Sequence, residues 1–244
     1  MVSKVNGIVI KETDMGESGK RIVVLTREHG KMLLSVRGAK NTKKGMQAAV
    51  QLFSCCEFTL FEGRGFYSVT QADVIESFYD IRNDFERLAY GACILEITER
   101  ASFEELQNNM AFDLLLRTLF VLASGKRRPK LVAVVYILRL LREYGFMGDG
   151  DICSSCGKKL EEAWYSPSAD GIYCDDCAPE RIGKLGRGAV KALGHITESP
   201  VKELFSFDVS EGVLGELWEL SMVYGREYFG SNYKTLDYIN NMGF

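Results

Sequence analysis

No apolar run in this 244-residue sequence is long enough to cross a membrane. The longest candidates, such as LVAVVYIL, fall far short of the ~18–20 residues a spanning helix needs. The opening MVSKVNGIVIKETD has a short apolar run followed by charges and lacks a small-residue cleavage site, so the expectation is a cytoplasmic protein. Positive charge is not in excess: 30 basic side chains face 33 acidic ones, for a net charge of −3. That balance excludes a generally basic surface, and any polyanion-binding face has to be local. Histidine is scarce, with only His29 and His195. Neither stands in an H-E-x-x-H pattern or beside an obvious nucleophile. No G-x-x-x-x-G-K-[ST] phosphate loop occurs, since GRGAVKALG has the glycines without the spacing. The acidic pairs Glu104-Glu105 and Asp175-Asp176 read as solvated positions. The expectation is a protein that is not an enzyme, although folding can assemble catalytic groups from distant positions. Finally, seven cysteines, two of them adjacent (Cys55 and Cys56), make a poor disulfide framework.

What is present divides by pattern. Hydrophobic residues make up 46% of the chain, enough to bury a core in one large domain or several small ones. The first eighty residues hold five short apolar or β-branched runs: GIVIKE, RIVVLTRE, KMLLSVR, CCEFTLFE and FYSVTQAD. Gly16 and Gly19, then Glu28-His29-Gly30, then Glu62-Gly63-Arg64-Gly65 supply the turns between some of them. Five such strands suit a small barrel of the OB type, with a small sandwich as the alternative. From Asp80 the period becomes helical. DIRNDFERLAYGACILEITERAS places Ile81, Phe85, Leu88, Ala92 and Leu95 on one side. NNMAFDLLLRTLFVLASG predicts a second helix, and RPKLVAVVYILRLLREYG a third, opened by Pro129 and closed by Gly145. The third is apolar on most sides, as a central bundle helix is. GRGAVKALGHI, SEGVLGELWELSMVYGREYFG and KTLDYINN predict three more, the middle one with Leu214, Leu217, Trp218, Met222 and Tyr224 or Gly225 inward. The expected fold class is α+β: an OB-fold barrel over 1–79, then an all-helical domain over 80–244 carrying a cysteine module at about 150–180.

That module reads CSSCGKKLEEAWYSPSADGIYCDDC. Two residues between cysteines let one tight turn present two sulfurs to one ion, and Cys153, Cys156, Cys174 and Cys177 have the spacing of a C-x-x-C…C-x-x-C zinc site. A redox pair is the competing reading. Thioredoxin-like C-x-x-C lies at a strand-to-helix junction, whereas here turns surround two pairs. Four thiolates leave no open position for water, so an ion here is a structural Zn2+, one per chain.

The charge is uneven. Residues 20–44 hold Lys20, Arg21, Arg27, Lys31, Arg37, Lys40, Lys43 and Lys44 against Glu28, eight basic side chains to one acid, a local +7. The dense part, RGAKNTKKG, could meet a phosphate chain and displace its counterions; the competing reading is a solvated loop. Phe66 and Tyr67, beside the Gly63–Gly65 turn, are the expected exposed aromatics of such a groove. A second cluster, Lys126, Arg127, Arg128 and Lys130, links two predicted helices and fits either a nucleic-acid track or a soluble connection. Arg181, Lys184, Arg187 and Lys191 are spaced like one basic helix face or turn. Cys55, Cys56 and Cys93 read as core packing.

Taken together these stretches resemble the bacterial RecO family of recombination and repair proteins. The opening GIVIKETDMGESGKRIVVLTREHGKMLLSVRGAK is similar to the family's first strands and turns, YGFMGDGDICSSCGKKL to the start of its zinc module, and DGIYCDDC to its end. YKTLDYI loosely matches a C-terminal pattern. Met147-Gly148 stands where many members carry proline or an aromatic, and the basic run is shorter than usual. The resemblance implies a non-enzymatic mediator, cytoplasmic and nucleoid-associated in a bacterium. It would bind single- and double-stranded DNA, promote strand annealing and, with RecR, help load RecA on DNA covered by single-strand-binding protein. Arg127, Arg128 and Lys130 are then candidates for the charged end of that protein's acidic tail. The rival readings are a zinc-stapled protein–protein scaffold and a hydrolase or transferase without DNA binding.

Overall fold

Alternation along the early strands sets the first architecture. In β3 (Gly30–Val36), Gly30, Met32, Leu34 and Val36 point inward while Lys31, Leu33 and Ser35 do not. β2 (Gly19–Thr26) buries Ile22, Val24 and Leu25, and β4 (Cys55–Glu62) buries Cys56, Phe58 and Leu60. In the computed structural model, residues 2–17, 19–37, 44–63, 65–103, 109–166 and 169–242 are described. With β1 (Val2–Met15) and β5 (Tyr67–Glu76), these strands form a closed barrel in the order β1-β2-β3-β5-β4. β1 is long enough to pair with β4 through its first half and β2 through its second, with a bulge between Val9 and Lys11. All neighbours are antiparallel except β3 and β5, which run parallel over Leu34↔Tyr67 and Ser35↔Ser68. The barrel is thus of the OB type, and the sandwich is set aside because the sheet closes.

A helix missing from the sequence reading, α1 (Lys44–Ala49), lies between β3 and β4 and puts Ala49 and Val50 into the barrel core, with Met46 against it. After the one-turn α2 (Tyr79–Arg82) comes α3 (Phe85–Ala101), whose N-cap Asp84 accepts a hydrogen bond from Arg87 N. Its inward residues are Ala89, Tyr90, Cys93, Ile94, Leu95, Ile97 and Ala101. Of the expected stripe, Ile81 and Leu95 are buried, whereas Phe85 is exposed and Leu88 and Ala92 are only half-buried. A helix with apolar residues on more than one side has no single phase to read. α4 (Asn109–Ser124) buries Phe112, Leu115, Leu119 and Leu122.

The chain divides into two compact units, 1–123 and 124–244. In the second, α5 (Pro129–Glu143) is buried at every position from Leu131 to Leu138 and ends before Gly145, at φ +81°. It packs on α6 (Arg187–Glu198) and α7 (Glu211–Phe229). α7 is capped by Ser210 and buries Leu214, Leu217, Leu220, Met222, Tyr224 and Gly225, while Trp218 is only half-buried. α8 (Lys234–Met242) follows. Between α5 and α6 sits a small sheet that the sequence reading did not foresee, in the order β7-β6-β8. It consists of β6 (Ala163–Ser166), β7 (Gly171–Tyr173) and β8 (Gly183–Leu185).

Candidate functional site

Two separate groups carry chemistry, one in each unit. In the barrel unit, three members of the basic segment are already engaged. Lys20 pairs with Glu12 across the β1–β2 hairpin at 2.5 Å. Arg27 pairs with Asp113 of α4 and lies 5.1 Å from the Phe112 ring centroid. Lys31 donates to the Glu99 carbonyl at 3.0 Å, near the end of α3, where a cation meets the helix's unsatisfied carbonyls. Arg21 and Arg37 are exposed. Lys44 opens α1, and Lys40 and Lys43 lie outside the described residues.

Arg21 and Lys31 share a cleft of about 730 Å³ with His29, Leu33, Phe66 and Tyr67. It runs over the outward positions of β2 and β3 and up to the β4–β5 turn. That turn aims the aromatics. Gly63 N donates to Phe66 O at 2.9 Å, and a Cβ on Gly63 would sit 2.4 Å from the Phe66 ring. Gly65 has φ +74°, a conformation suited to glycine. Phe66 is 43% exposed and Leu33 48%, so apolar faces stand open beside two cations. Such a surface suits an anionic chain that also carries flat apolar groups. Lys31 and Leu33 reach it because outward positions of one strand share a face, and the alternation of KMLLSVR carried that signal.

In the second unit the four cysteines converge. Their Sγ atoms all lie within 4.8 Å of one another, and Cys156 and Cys174 are 3.9 Å apart. A thiolate tetrahedron around zinc, with Zn–S near 2.3 Å, has edges of about 3.8 Å. The turns that build it are local: Gly157, at φ +73°, donates to Cys153 O at 3.0 Å, and Cys177 N donates to Cys174 O at 3.1 Å. The Cys174 amide points at Cys153 Sγ, 3.4 Å away. Burial opposes ionisation of Cys153, but amide hydrogen bonds from Cys156, Cys174 and Ser155 outweigh it and bring that thiol down to about 6. Hydrogen bonds to Cys174 and Cys156 push the Cys177 thiol up to about 12. Clustered thiols sharing protons separate in this way, and a divalent cation would displace the protons that remain. The cluster could hold a metal ion, with every position filled by sulfur.

The module is tied to the helices behind it. Tyr224 of α7 donates its hydroxyl to Gly171 O at 2.6 Å, Tyr228 hydrogen-bonds Asp170, and Gly150 N donates to Thr197 Oγ1 of α6 at 2.9 Å. The second basic cluster is less available than expected. Arg128 binds Asp208, Glu211 and the Val209 carbonyl, Lys130 lies 5.6 Å from the Trp218 ring centroid, and Lys126 is exposed. Arg181, Lys184 and Arg187 do not form one helix face, although Arg187 shares α6 with the exposed Lys191. They lie before β8, on it and at the start of α6, paired with Asp175, Glu162 and Glu161 respectively. No helix among the described residues is long and apolar enough to cross a membrane.

Comparison with known proteins fits this architecture. A family model described as recombination protein O, N terminal, matches residues 1–78, and one described as recombination protein O, C terminal, matches 82–237. The chain is similar to the DNA repair protein RecO of Acetivibrio thermocellus, 38% identical over 242 residues that cover 98% of this chain and 96% of the relative. The corresponding protein of Listeria monocytogenes is 30% identical over 99% of this chain and 95% of its own length, and that of Halalkalibacterium halodurans 28% over 100% and 98%. With family models over 1–78 and 82–237 and a relative 38% identical along nearly its whole length, this chain of closed OB-type barrel, helices and four-cysteine cluster belongs to the RecO family of DNA repair and recombination proteins.

Proposed function

We propose that this chain is a non-enzymatic recombination mediator of the bacterial cytoplasm and nucleoid. In this reading it binds single- and double-stranded DNA, promotes annealing of complementary strands and, with RecR, helps load RecA on DNA covered by single-strand-binding protein. The observation that carries the reading is the cleft where Arg21 and Lys31 stand beside the exposed Leu33 and Phe66. Cations neutralise phosphate and release its counterions, while an exposed ring offers a stacking face to any base. Neutralising two backbones at once lowers the repulsion that opposes annealing. The DNA-binding domain is taken as 1–79 and the helical domain as 80–244. Arg37, Lys40, Lys43 and Lys44 are taken as further DNA contacts from the sequence, and Lys20 and Arg27 join them only if their pairs with Glu12 and Asp113 open. For the acidic tail of single-strand-binding protein, Lys126, Arg127 and Lys130 are better placed than Arg128, whose guanidinium is already held. Cys153, Cys156, Cys174 and Cys177 are taken to hold one structural zinc.

Fluorescence anisotropy with single-stranded oligonucleotides tests the DNA reading. The variant Lys40→Glu/Lys43→Glu/Lys44→Glu should weaken binding and flatten the dependence of log K on log salt by roughly 0.7 per lost contact. Wild-type protein that fails to bind at low salt overturns it, as does an Arg21→Glu/Phe66→Ala variant of the cleft that binds as well as wild type; a triple variant that binds equally well removes Lys40, Lys43 and Lys44 from the contacts. A protein scaffold that touches no DNA would instead keep full function in cells with the triple variant.

A further inference from the structure

Cys174 and Cys177 are separated by Asp175 and Asp176. Carboxylates there add negative charge beside sulfurs that themselves carry it when a metal is bound. The structure takes up one of these charges in a specific way. Trp164, on β6, donates its indole N–H to Asp175 Oδ1 at 2.6 Å. Arg181 donates to the Asp175 carbonyl at 3.1 Å, and its guanidinium is 3.9 Å from the same carboxylate. The indole is held in turn. Arg181 Cζ is 5.1 Å and Lys184 Nζ 5.8 Å from the Trp164 ring, and Lys184 is anchored by Glu162 at 2.6 Å. In the sheet, Trp164 pairs with Tyr173, the residue that leads into Cys174. The turn carrying two of the four sulfurs is therefore fixed to β6 twice, by backbone before Cys174 and by side chain just after it.

We infer that Trp164 and Asp175 form a positioning pair for the four-sulfur centre, backed by Arg181. The inference rests on the metal reading proposed above. The Asp175 side chain is 70% exposed, so its hydrogen bond and ion pair add little to global stability. Their effect falls on the metal, because groups that hold metal ligands in place tune metal affinity, by roughly 10–100-fold where they hydrogen-bond a ligand directly. Asp175 also turns a charge that would repel the thiolates into an acceptor for a fixed donor.

The test uses the zinc-loaded full chain in competition with a chromophoric chelator. Trp164→Phe keeps a ring for the two cations and removes the N–H; Asp175→Ala removes the acceptor; Asp175→Asn keeps an acceptor oxygen. The first two should hold zinc about 10-fold more weakly, with unchanged thermal unfolding of the barrel unit, and the asparagine variant should stay close to wild type. The only other tryptophan is Trp218, so in a Trp218→Phe background zinc removal should shift the Trp164 emission. Trp164→Phe and Asp175→Ala chains that hold zinc as tightly as wild type overturn the inference. An asparagine variant as weak as the alanine one overturns the hydrogen bond as its basis. A wild-type chain that binds no zinc overturns the metal reading itself.

Discussion

Cys56 and Cys153 are the same residue type placed for opposite purposes. Cys56 is fully buried in the barrel core, and burial pushes its thiol up to about 12; its neighbour Cys55 rises to about 11 for the same reason. Both behave as small hydrophobes: Cys56 packs in the barrel core, and Cys55 is buried beside it where the β4–β5 register shifts. Cys153 is also buried, yet three backbone amides favour its thiolate. Among polar side chains, Tyr224 illustrates a hydroxyl committed to one acceptor. It is fully buried, and its hydrogen bond to Gly171 O joins α7 to the hairpin just before Cys174. Tyr224→Phe keeps the ring and removes that hydrogen bond, so chemical denaturation should show a loss of about 0.5–1.5 kcal/mol. No loss would mean that the carbonyl is satisfied without the hydroxyl.

At the scale of elements, the junction between the cysteine module and α6 is made by the absence of a side chain. A Cβ on Gly150 would lie 2.4 Å from the Leu193 carbonyl carbon and 2.7 Å from the Gly194 amide nitrogen, backbone atoms that cannot rotate away. Gly150→Ala should therefore cost about 1–3 kcal/mol in unfolding experiments. Gly148→Ala, whose nearest neighbour would be Ser154 Oγ at 3.7 Å, should be nearly neutral. Equal effects would sink the packing argument. The long elements were legible in the sequence where period and punctuation agreed: Pro129 and Gly145 bound α5, SEGVLGELWEL opens α7 at Ser210, and Gly30 and Gly65 punctuate the strand pairs, whereas the run from Asp80 hid the break before Asp84 and part of the inward face of α3. The short ones were not. KGMQAA makes less than two turns of helix, and strands of three or four residues such as GIY and GKL give alternation no room to show. The four cysteines announced their own meeting by spacing. Arg27 with Asp113, Lys31 with the Glu99 carbonyl and Trp164 with Asp175 gave no such signal, since a pairing between distant positions is decided by the fold.

For the whole molecule, two units with their own cores make stability a divided quantity. Stripping metal from the full chain with a chelator, or replacing Cys153 and Cys156 by serine, should raise amide exchange over residues 152–186 and leave the barrel strands protected, as mass spectrometry would report. Equal loss of protection in the barrel would contradict that independence. If the cleft takes DNA as proposed, a net charge of −3 leaves little long-range attraction for a polyanion beyond the basic patches, so encounter would depend on orientation and weaken with salt. The closure of the barrel adds a mechanical consequence. β3 and β5 are joined through just two residue pairs, Leu34↔Tyr67 and Ser35↔Ser68, while β1 and β2 are paired over eight positions. The cleft with Leu33, Phe66 and Tyr67 lies along that lightly stitched seam. Parting that seam breaks the fewest ladder pairs in the barrel, so any ligand seated in the cleft would press on the most yielding edge of an otherwise closed sheet.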